Sequence, residues 1–154
     1  MIVQLDTNIL ARLAQPSHPS HAIALAAMRQ LEAAGHVLCI VPQNLFEFWA
    51  VATRPLPANG LSLSVDEAEL ELRKLKTAFI LHRDPPFLLE EWERLVVAHD
   101  CKGKPSHDAR IVAAMNVHGV AHLLTFNDSD FARYPGIKVL HPSTPNIPSG
   151  GGVI

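Results

Sequence analysis

The sequence predicts an α/β fold in which a central, mainly parallel sheet lies between two layers of helices. Four short runs are largely apolar, as strands buried on both faces are. The longer segments between them place apolar residues at helical spacing. Strand and helix signals alternate along the chain, which is typical of parallel sheets with helical crossovers. We therefore expect a three-layer α/β/α sandwich.

The individual elements are predicted from their apolar patterns and from the turn residues between them. The strands, in chain order, are 2–5, 37–41, 121–124 and 137–140. The helices are 8–13, 21–34, 42–53, 65–78, 87–98 and 107–117. This order places helices in most of the connections between strands, as parallel pairing requires.

Three helix starts carry capping signals. Ser20 and Ser106 are predicted to be N-caps, because a serine side chain accepts hydrogen bonds from free backbone N–H groups in the first turn. Ser64 and Glu67 have the spacing of a capping box, which predicts that a helix begins there.

Length and charge limit the classes of protein that fit. A chain of 154 residues fits one domain, which we expect to span residues 1–142. Residues 143–154 are rich in Pro, Ser and Gly and are expected to form a loosely ordered tail.

The net charge of −2 disfavours a strongly basic nucleic-acid binder, although acids clustered at one site can coexist with a modest basic rim. No apolar run approaches the ~18 residues that span a bilayer, so a cytoplasmic protein without a membrane partner is expected.

Cysteine and histidine usage points neither to a disulfide framework nor to a zinc site. Cys39 lies in a predicted strand and Cys101 in a predicted loop, and we expect both thiols to be reduced. The nine histidines are scattered along the chain. If a metal binds, the sequence favours acidic ligands over histidine and cysteine.

Four acidic residues carry the strongest functional signal. Asp6 directly follows the first predicted strand, and Asp130 closely follows the third. Asp108 lies in the first turn of its helix, and Glu47 is the only ionisable residue in an apolar helical segment. Because ligands of parallel sheets bind at the carboxyl ends of the strands, these acids are expected to gather at that edge.

Each acid also has a purely structural interpretation, which stays open for the residue taken alone. Asp6 can cap a helix, Glu47 can point to water, Asp108 is favoured by the helix dipole, and Asp130 suits a turn. Four gathered carboxylates would repel one another, and a hard divalent cation such as Mg²⁺ or Mn²⁺ would relieve that repulsion. Such a metal activates water and stabilises charge on a phosphodiester.

The ordered set of four acidic motifs resembles the PIN-domain family. The motifs are IVQLDTN from residue 2, NLFEF from residue 44, HDARIVAA from residue 107 and LTFNDSDF from residue 124. The resemblance covers about residues 1–142 and is strongest to the VapC ribonuclease toxins of bacterial toxin–antitoxin pairs. It implies a PIN-like α/β/α sandwich and a metal-dependent endoribonuclease that uses Mg²⁺ or Mn²⁺.

The resemblance also assigns roles to residues. It implies that Asp6, Glu47 and Asp108 are catalytic, metal-binding acids. Asp130 is expected to complete the set, with Asn127 and Asp128 as alternatives. The residues expected to support the acids through hydrogen bonds are Thr7, Asn8, Thr125, Asn127 and Asp128.

Several partners follow from the resemblance: an RNA substrate such as tRNA or ribosomal RNA, an inhibiting antitoxin protein, and a second copy in a homodimer. Lys102, Lys104 and Arg110 flank Asp108 and are candidate contacts for RNA phosphates, although ordinary surface charge explains them as well. Segments 20–34 and 65–80 are candidates for an antitoxin groove or a dimer face, although core packing also explains amphipathic helices.

Two other functions compete with a nuclease. A catalytically silent RNA-binding or scaffold protein on the same fold is disfavoured, because all four acidic positions are filled. A phosphatase or phosphotransferase with Asp6 as nucleophile is disfavoured as well. Enzymes in the haloacid dehalogenase style have an acid two residues later, where this chain has Asn8. The chain has no GxxxxGK[ST] motif, which argues against a nucleoside triphosphatase.

Overall fold

The computed structural model of the chain describes residues 1–147 and contains a five-stranded parallel sheet. The strands are β1 (Ile2–Leu5), β2 (Val37–Ile40), β3 (Ile80–Leu81), β4 (His122–Leu124) and β5 (Lys138–Leu140). They pair in the order β3-β2-β1-β4-β5, and every pair is parallel. The predicted parallel sheet is confirmed, and the carboxyl end of β1 lies between those of β2 and β4.

Six helices cover the sheet in the described part of the chain. They are α1 (Thr7–Leu13), α2 (His21–Ala33), α3 (Pro42–Thr53), α4 (Val65–Ala78), α5 (Leu88–Ala98) and α6 (Pro105–Val117). Single 3₁₀ turns occupy Leu56–Ala58 and Asp128–Phe131. Every predicted helix is present, with each end no more than two residues from the predicted position.

Alternate residues of the central strands face opposite helical layers. Leu5 and Ile40 belong to a core cluster with residues of α1, α2, α3 and α4. Cys39 and Leu123 belong to a second cluster with residues of α5 and α6. Because both faces are covered, the strands are apolar runs without polar alternation. The predicted three-layer α/β/α architecture is therefore confirmed.

The prediction of four strands is incomplete, because it omits β3. This strand has only two residues, and it pairs with β2 through Cys39 and Ile40. Two residues that directly follow a helix are too few to show a strand period. β2 is also one residue shorter than predicted, because Val41 leaves the sheet to become the N-cap of α3. β4 and β5 each begin one residue later than predicted.

The three capping predictions have different outcomes. Ser64 and Glu67 form the predicted capping box, with both hydrogen bonds at 3.1 Å. Ser20 occupies the N-cap position of α2, but its side chain makes no capping hydrogen bond. The prediction for Ser106 is wrong, because α6 begins at Pro105. Proline suits the first helical position, where no N–H is needed and φ is already helical.

Three further expectations concern the chain as a whole. Residues 148–154 of the expected tail lie outside the described residues, so the domain boundary at residue 142 stays a prediction. Within the described part, Ile147 packs against the core cluster of α1 to α4.

The cysteine prediction agrees with the structure, because Cys39 and Cys101 are both free thiols. No helix in residues 1–147 is long and apolar enough to cross a membrane.

A buried polar network joins β1, α1 and α3 beneath the carboxyl edge of the sheet. The Asn44 side chain is fully buried, and its Oδ1 accepts hydrogen bonds from Gln4 Nε2 at 2.8 Å and from the Val41 N–H at 2.9 Å. Its Nδ2 donates to Thr7 Oγ1 at 3.2 Å. A buried amide is stable when its polar atoms are paired in this way. The network fixes α3 against the end of β1.

Substitution of Asn44 by alanine is expected to destabilise the fold, because it leaves the buried Val41 N–H without an acceptor and removes one of the two acceptors of Gln4 Nε2. A buried donor left unpaired costs about 1–3 kcal/mol. In a chain of this size, each kcal/mol lowers the melting temperature by about 2–4 °C. Thermal unfolding followed by circular dichroism measures the change.

The matched control is Gln30→Ala on the exposed side of α2, which should leave the melting temperature within about 2 °C of the wild type. Equal melting temperatures for Asn44→Ala and the wild type would contradict a structural role for the network.

Candidate functional site

Asp6 stands at the carboxyl end of the central strand and begins α1. Its Oδ1 accepts a hydrogen bond from the Thr7 N–H at 2.7 Å, as an N-cap does. Its Oδ2 accepts from the Thr125 hydroxyl at 2.7 Å and from the Asn8 amide at 3.4 Å. Asp6 is therefore a helix cap and, through Thr125, is also held against the neighbouring strand β4.

Thr125, the residue after β4, ties the ends of β1 and β4 together. Its hydroxyl donates to Asp6 and accepts from Asn8 Nδ2 at 3.1 Å. The same oxygen accepts from the backbone N–H of Asn127 at 3.0 Å, and Asn8 Oδ1 accepts from the Phe126 N–H at 3.3 Å. Uncharged groups from two strand ends thus set the position of the Asp6 carboxylate.

Glu47 is held beside the first turn of α6 by a buried glutamine. Gln43, one turn earlier in α3, donates from Nε2 to Glu47 Oε1 at 2.6 Å and to the His107 carbonyl at 2.9 Å. Gln43 Oε1 is buried and has no hydrogen-bond partner among the described residues. Glu47 itself is half-buried. A single amide therefore connects Glu47 to the helix turn that carries Asp108.

Glu47 and Asp108 line one cleft of about 360 Å³, called here the acid cleft. The other residues of this cleft are Gln43, Phe46, Lys104, His107 and Arg110. A larger depression of about 810 Å³ lies around the carboxyl-terminal end of α6, but there Glu91 is already paired with Arg94 at 2.6 Å. The convergence of acids, and not the size of the cavity, identifies the candidate site.

Partial burial and mutual repulsion raise the pKa of three carboxyl groups, and burial is the largest cause for each. The pKa of Asp108 rises to about 6, and the charges of Asp130, Asp6 and Glu47 add to the effect of burial. Asp6 also raises the pKa of Glu47, and Asp130 raises that of Asp6, while hydrogen bonds to both carboxylates act in the opposite direction. The four acids therefore act on one another electrostatically.

Asp130 is the acid of the fourth motif whose charge reaches the other acids. It lies in the 3₁₀ turn after β4 and is exposed, as are Asn127 and Asp128. The Asp130 charge raises the pKa of both Asp6 and Asp108, whereas Asp128 is not among the residues that shift them. Asn127 contributes a backbone N–H to Thr125. Of Asn127, Asp128 and Asp130, Asp130 is therefore the residue whose charge affects the other acids of the site.

The site offers oxygen donors that suit a hard divalent cation, but its side chains do not enclose one. In residues 1–147, no three His, Cys, Asp or Glu side chains lie close enough together to hold a metal ion. Mg²⁺ usually binds through one or two carboxylates and keeps several waters. The contributions that these acids make to one another's pKa values, beside the larger effect of burial, indicate negative charge that such a cation would neutralise. The residues therefore fit a hydrated cation and not a closed cage of the zinc type.

Two of the three cations predicted to contact RNA line the cleft. Lys104 lies at its rim, and Arg110 lines it while pairing with Asp84 at 2.9 Å. Lys102 instead pairs with Asp100 at 3.3 Å in an exposed loop, and it is not part of the cleft lining. Arg110 and His107 both lower the pKa of Glu47, so positive charge borders the acids on the α6 side.

Three polar residues that organise the site were not predicted from the sequence: Gln43, Asn44 and Asp84. A signal existed for Gln43, because it precedes Glu47 by four residues, which places both side chains on one face of the helix. Asn44 is the next residue, and apart from Gln43 and Glu47 its neighbours in the helix through Ala52 are apolar. Asp84 gave no signal, because its partner Arg110 is 26 residues away in the chain.

Solved structures share this arrangement of strands and helices. VapBC-1 from nontypeable Haemophilus influenzae is similar with a TM-score of 0.70 at 15% identity, over 94% of this chain and 100% of that chain. A toxin–antitoxin complex from Klebsiella pneumoniae gives 0.63 at 23% identity, over 92% and 98%. Mycobacterium tuberculosis VapC20, a Sarcin-Ricin loop cleaving toxin, gives 0.57 at 20% identity, over 79% and 86%.

The chain has the PIN-type fold of the VapC toxins. The predicted PIN-like α/β/α fold class is thereby confirmed, and the resemblance to the VapC toxins holds at the level of the fold. At identities below 25%, the likeness concerns the fold alone. No protein-family model matches the chain, and no curated protein matches it. What the PIN-type fold does in this chain has to be argued from its own residues.

Substitution of Asp108 by asparagine is expected to stabilise the metal-free protein at neutral pH. The pKa of Asp108 is raised from 3.8 to about 6 on folding. Its contribution to stability is therefore complete below about pH 3.8 and is lost as the pH rises through about 6. Removing the charge should raise the melting temperature at pH 7.5 in EDTA by about 2–4 °C, the effect of ~1 kcal/mol.

The measurement is thermal unfolding at pH 4.5 and 7.5, and the gain should shrink at the lower pH. Glu93→Gln, an exposed acid on α5, is the control and should change neither value. A lower melting temperature for Asp108→Asn at pH 7.5 would show that the Asp108 charge stabilises the fold, against the repulsion derived above.

Proposed function

We propose that the protein is a metal-dependent endoribonuclease and the toxin of a type II toxin–antitoxin pair. One observation carries the proposal: acids from β1, α3, α6 and the turn after β4 converge at one edge of the parallel sheet. Hydrogen bonds connect Asp6 to Thr125, and Gln43 connects Glu47 to the first turn of α6. If these acids served only as helix caps and turn residues, they would not need to lie close enough to raise one another's pKa values.

The comparisons support the choice of substrate and partner. Among the proteins with this fold, VapC20 is described as a Sarcin-Ricin loop cleaving toxin, and the Klebsiella protein as part of a toxin–antitoxin complex. These descriptions belong to those proteins. For this chain we propose the same general class: cleavage of tRNA or ribosomal RNA, an antitoxin that inhibits it, and a homodimeric toxin. Because these RNAs are cytoplasmic, the proposed activity takes place in the cytoplasm.

The proposed reaction is hydrolysis of an RNA phosphodiester. A water oxygen forms a new bond to phosphorus, one phosphorus–oxygen ester bond breaks, and the leaving oxygen takes up a proton. Bound Mg²⁺ or Mn²⁺ would supply water activation and charge neutralisation at the phosphate. Asp6, Glu47 and Asp108 are the proposed ligands, because they are the half-buried acids with raised pKa values. Asp130, which is exposed, would complete the negative site.

The chain's other residues orient these groups and the substrate. Thr125 and Asn8 hold Asp6, and Gln43 holds Glu47, so the carboxylates keep their places without a cation. Groups of this kind typically change metal affinity or activity by 10- to 100-fold in metal sites. Lys104 and Arg110 border the cleft and are the proposed contacts for phosphate oxygens.

The direct test is cleavage of total tRNA and ribosomal RNA by the purified protein with Mn²⁺, Mg²⁺ or EDTA. Asp6→Asn and Asp108→Asn should each lower the rate by at least about 100-fold, because metal ligands matter more than the groups that orient them. Gel electrophoresis should show discrete products that require metal. Expression of the wild-type chain in bacteria should arrest growth, and expression of Asp6→Asn should not.

Glu93→Gln provides the control, since this exposed acid on α5 lies outside the cleft. If a folded, antitoxin-free protein gave no metal-dependent products from either RNA class, the nuclease proposal would fail. The catalytically silent RNA-binding or scaffold protein would then be the better account, and RNA binding without cleavage would support it.

A matched pair of substitutions tests which acid completes the site. Asp130→Asn should lower the cleavage rate by about 10-fold or more, whereas Asp128→Asn should leave it within about twofold of the wild type. The reason is that, of these two residues, Asp130 raises the pKa of Asp6 and Asp108, whereas Asp128 does not contribute to either shift. The opposite ranking of the two variants would assign the fourth position to Asp128.

A further inference from the structure

Phe46 is an exposed aromatic residue directly beside Glu47. Its side chain is 64% exposed, while Phe48 on the inner side of the same helix is completely buried. A single exposed phenylalanine needs no explanation by itself. The position of Phe46 is informative, because it is the residue shared by the acid cleft and by a second, neighbouring groove.

This second groove, called here the α3–α4 groove, has a volume of about 550 Å³. Its lining includes four apolar residues of α3 and α4, which are Leu45, Phe46, Trp49 and Leu72. Two cationic side chains also line it: Lys76 of α4, and Arg83, which follows β3. Phe46 forms the boundary between the groove and the acid cleft. A polymer that occupies both the acid cleft and the α3–α4 groove would therefore contact Phe46.

Positive charge lies on both sides of Phe46. Lys104 and Arg110 line the acid cleft, and Lys76 and Arg83 line the α3–α4 groove. In residues 1–147, Lys76, Arg83 and Lys104 make no ion pair, whereas Lys74, on the same helix as Lys76, is paired with Glu71. No acidic residue lines the α3–α4 groove. Unpaired cations on both sides of an exposed ring favour an anionic ligand with flat apolar groups.

We propose that Phe46 is a stacking platform for an unpaired base of the RNA, next to the nucleotide whose phosphate enters the acid cleft. The adjoining strand follows the α3–α4 groove, where Lys76 and Arg83 contact its phosphates. The inference rests on the proposed function for the identity of the ligand, and it defines the substrate as single-stranded at this point. Aromatic side chains bind bases in this way with little dependence on sequence.

The test measures RNA binding separately from cleavage. All variants carry Asp6→Asn to prevent cutting, and the probe is a fluorescent, mixed-sequence single-stranded RNA of about 12 nucleotides, a length that single-strand sites span. Fluorescence anisotropy gives the dissociation constant. Phe46→Ala and Phe46→Leu should each weaken binding by about fivefold or more, and Phe46→Trp should retain it, because stacking needs a π-face. The same RNA in a duplex should bind more weakly to the parent and respond less to these changes.

Matched controls are available on the same molecule. Phe87→Ala removes another phenylalanine, 57% exposed, which lines the depression at the end of α6 and neither the acid cleft nor the α3–α4 groove, and it should not alter the affinity. Lys76→Ala should lower the slope of log affinity against log salt concentration by about 1, as loss of one phosphate contact does. Lys74→Ala, in the same helix but outside the groove, should leave the slope unchanged. Unfolding temperatures confirm that each variant is folded.

The possible results separate the two proposals. If Phe46→Ala and Phe46→Leu bind single-stranded RNA as tightly as the parent, the stacking platform is refuted, and a protein helix becomes the better occupant of the groove. If Phe46→Leu alone keeps full affinity, the contact is merely apolar and the proposal also fails. If Phe46 matters for binding but the protein with Asp6 intact never cuts RNA, the binding inference stands and the nuclease proposal fails.

Discussion

Repulsion among carboxylates at one edge of the sheet is the constraint on which the rest of the site depends. Asp6, Glu47 and Asp108 form no ion pair within residues 1–147. Uncharged donors hold two of them instead: Thr125 donates to Asp6, and Gln43 donates to Glu47. A neutral donor fixes the position of a carboxylate without cancelling its charge. The negative field therefore persists in the folded protein, at some cost to its stability, and would be available to the proposed cation.

Keeping these acids together requires rigid connections between segments that are distant in sequence. The parallel register places the ends of β1 and β4 side by side, and the buried Asn44 amide fixes α3 to α1 through Thr7. Arg110 on α6, which lowers the pKa of Glu47, is paired with Asp84, and this pairing limits how far it can neutralise Glu47. The fold thus supplies both the convergence of negative charge and the restraint on positive charge that a metal-dependent site needs.

The sequence predicted the architecture well because both faces of the sheet are buried, so that strands such as 37–40 are apolar runs. It also predicted the convergence of the acids, since Asp6 and Asp130 follow strands that a parallel sheet brings to one edge. It missed β3, which is only two residues long and receives its strand geometry from β2. It missed Asp84 because its partner Arg110 is brought near only by tertiary packing. For Gln43, the four-residue spacing to Glu47 was visible in the sequence, but its second partner, the His107 carbonyl, was not.

The most direct test of the central claim is to locate manganese by anomalous diffraction in crystals of the wild-type protein soaked with Mn²⁺. The account predicts a peak in the acid cleft, with carboxylate oxygens of at least two of Asp6, Glu47 and Asp108 about 2–2.3 Å from the ion and waters completing the shell. A fully occupied Mn²⁺ elsewhere, with the acid cleft empty at a concentration that supports cleavage, would contradict it. The repulsion among these acids would then be a feature of the fold without a role in binding metal.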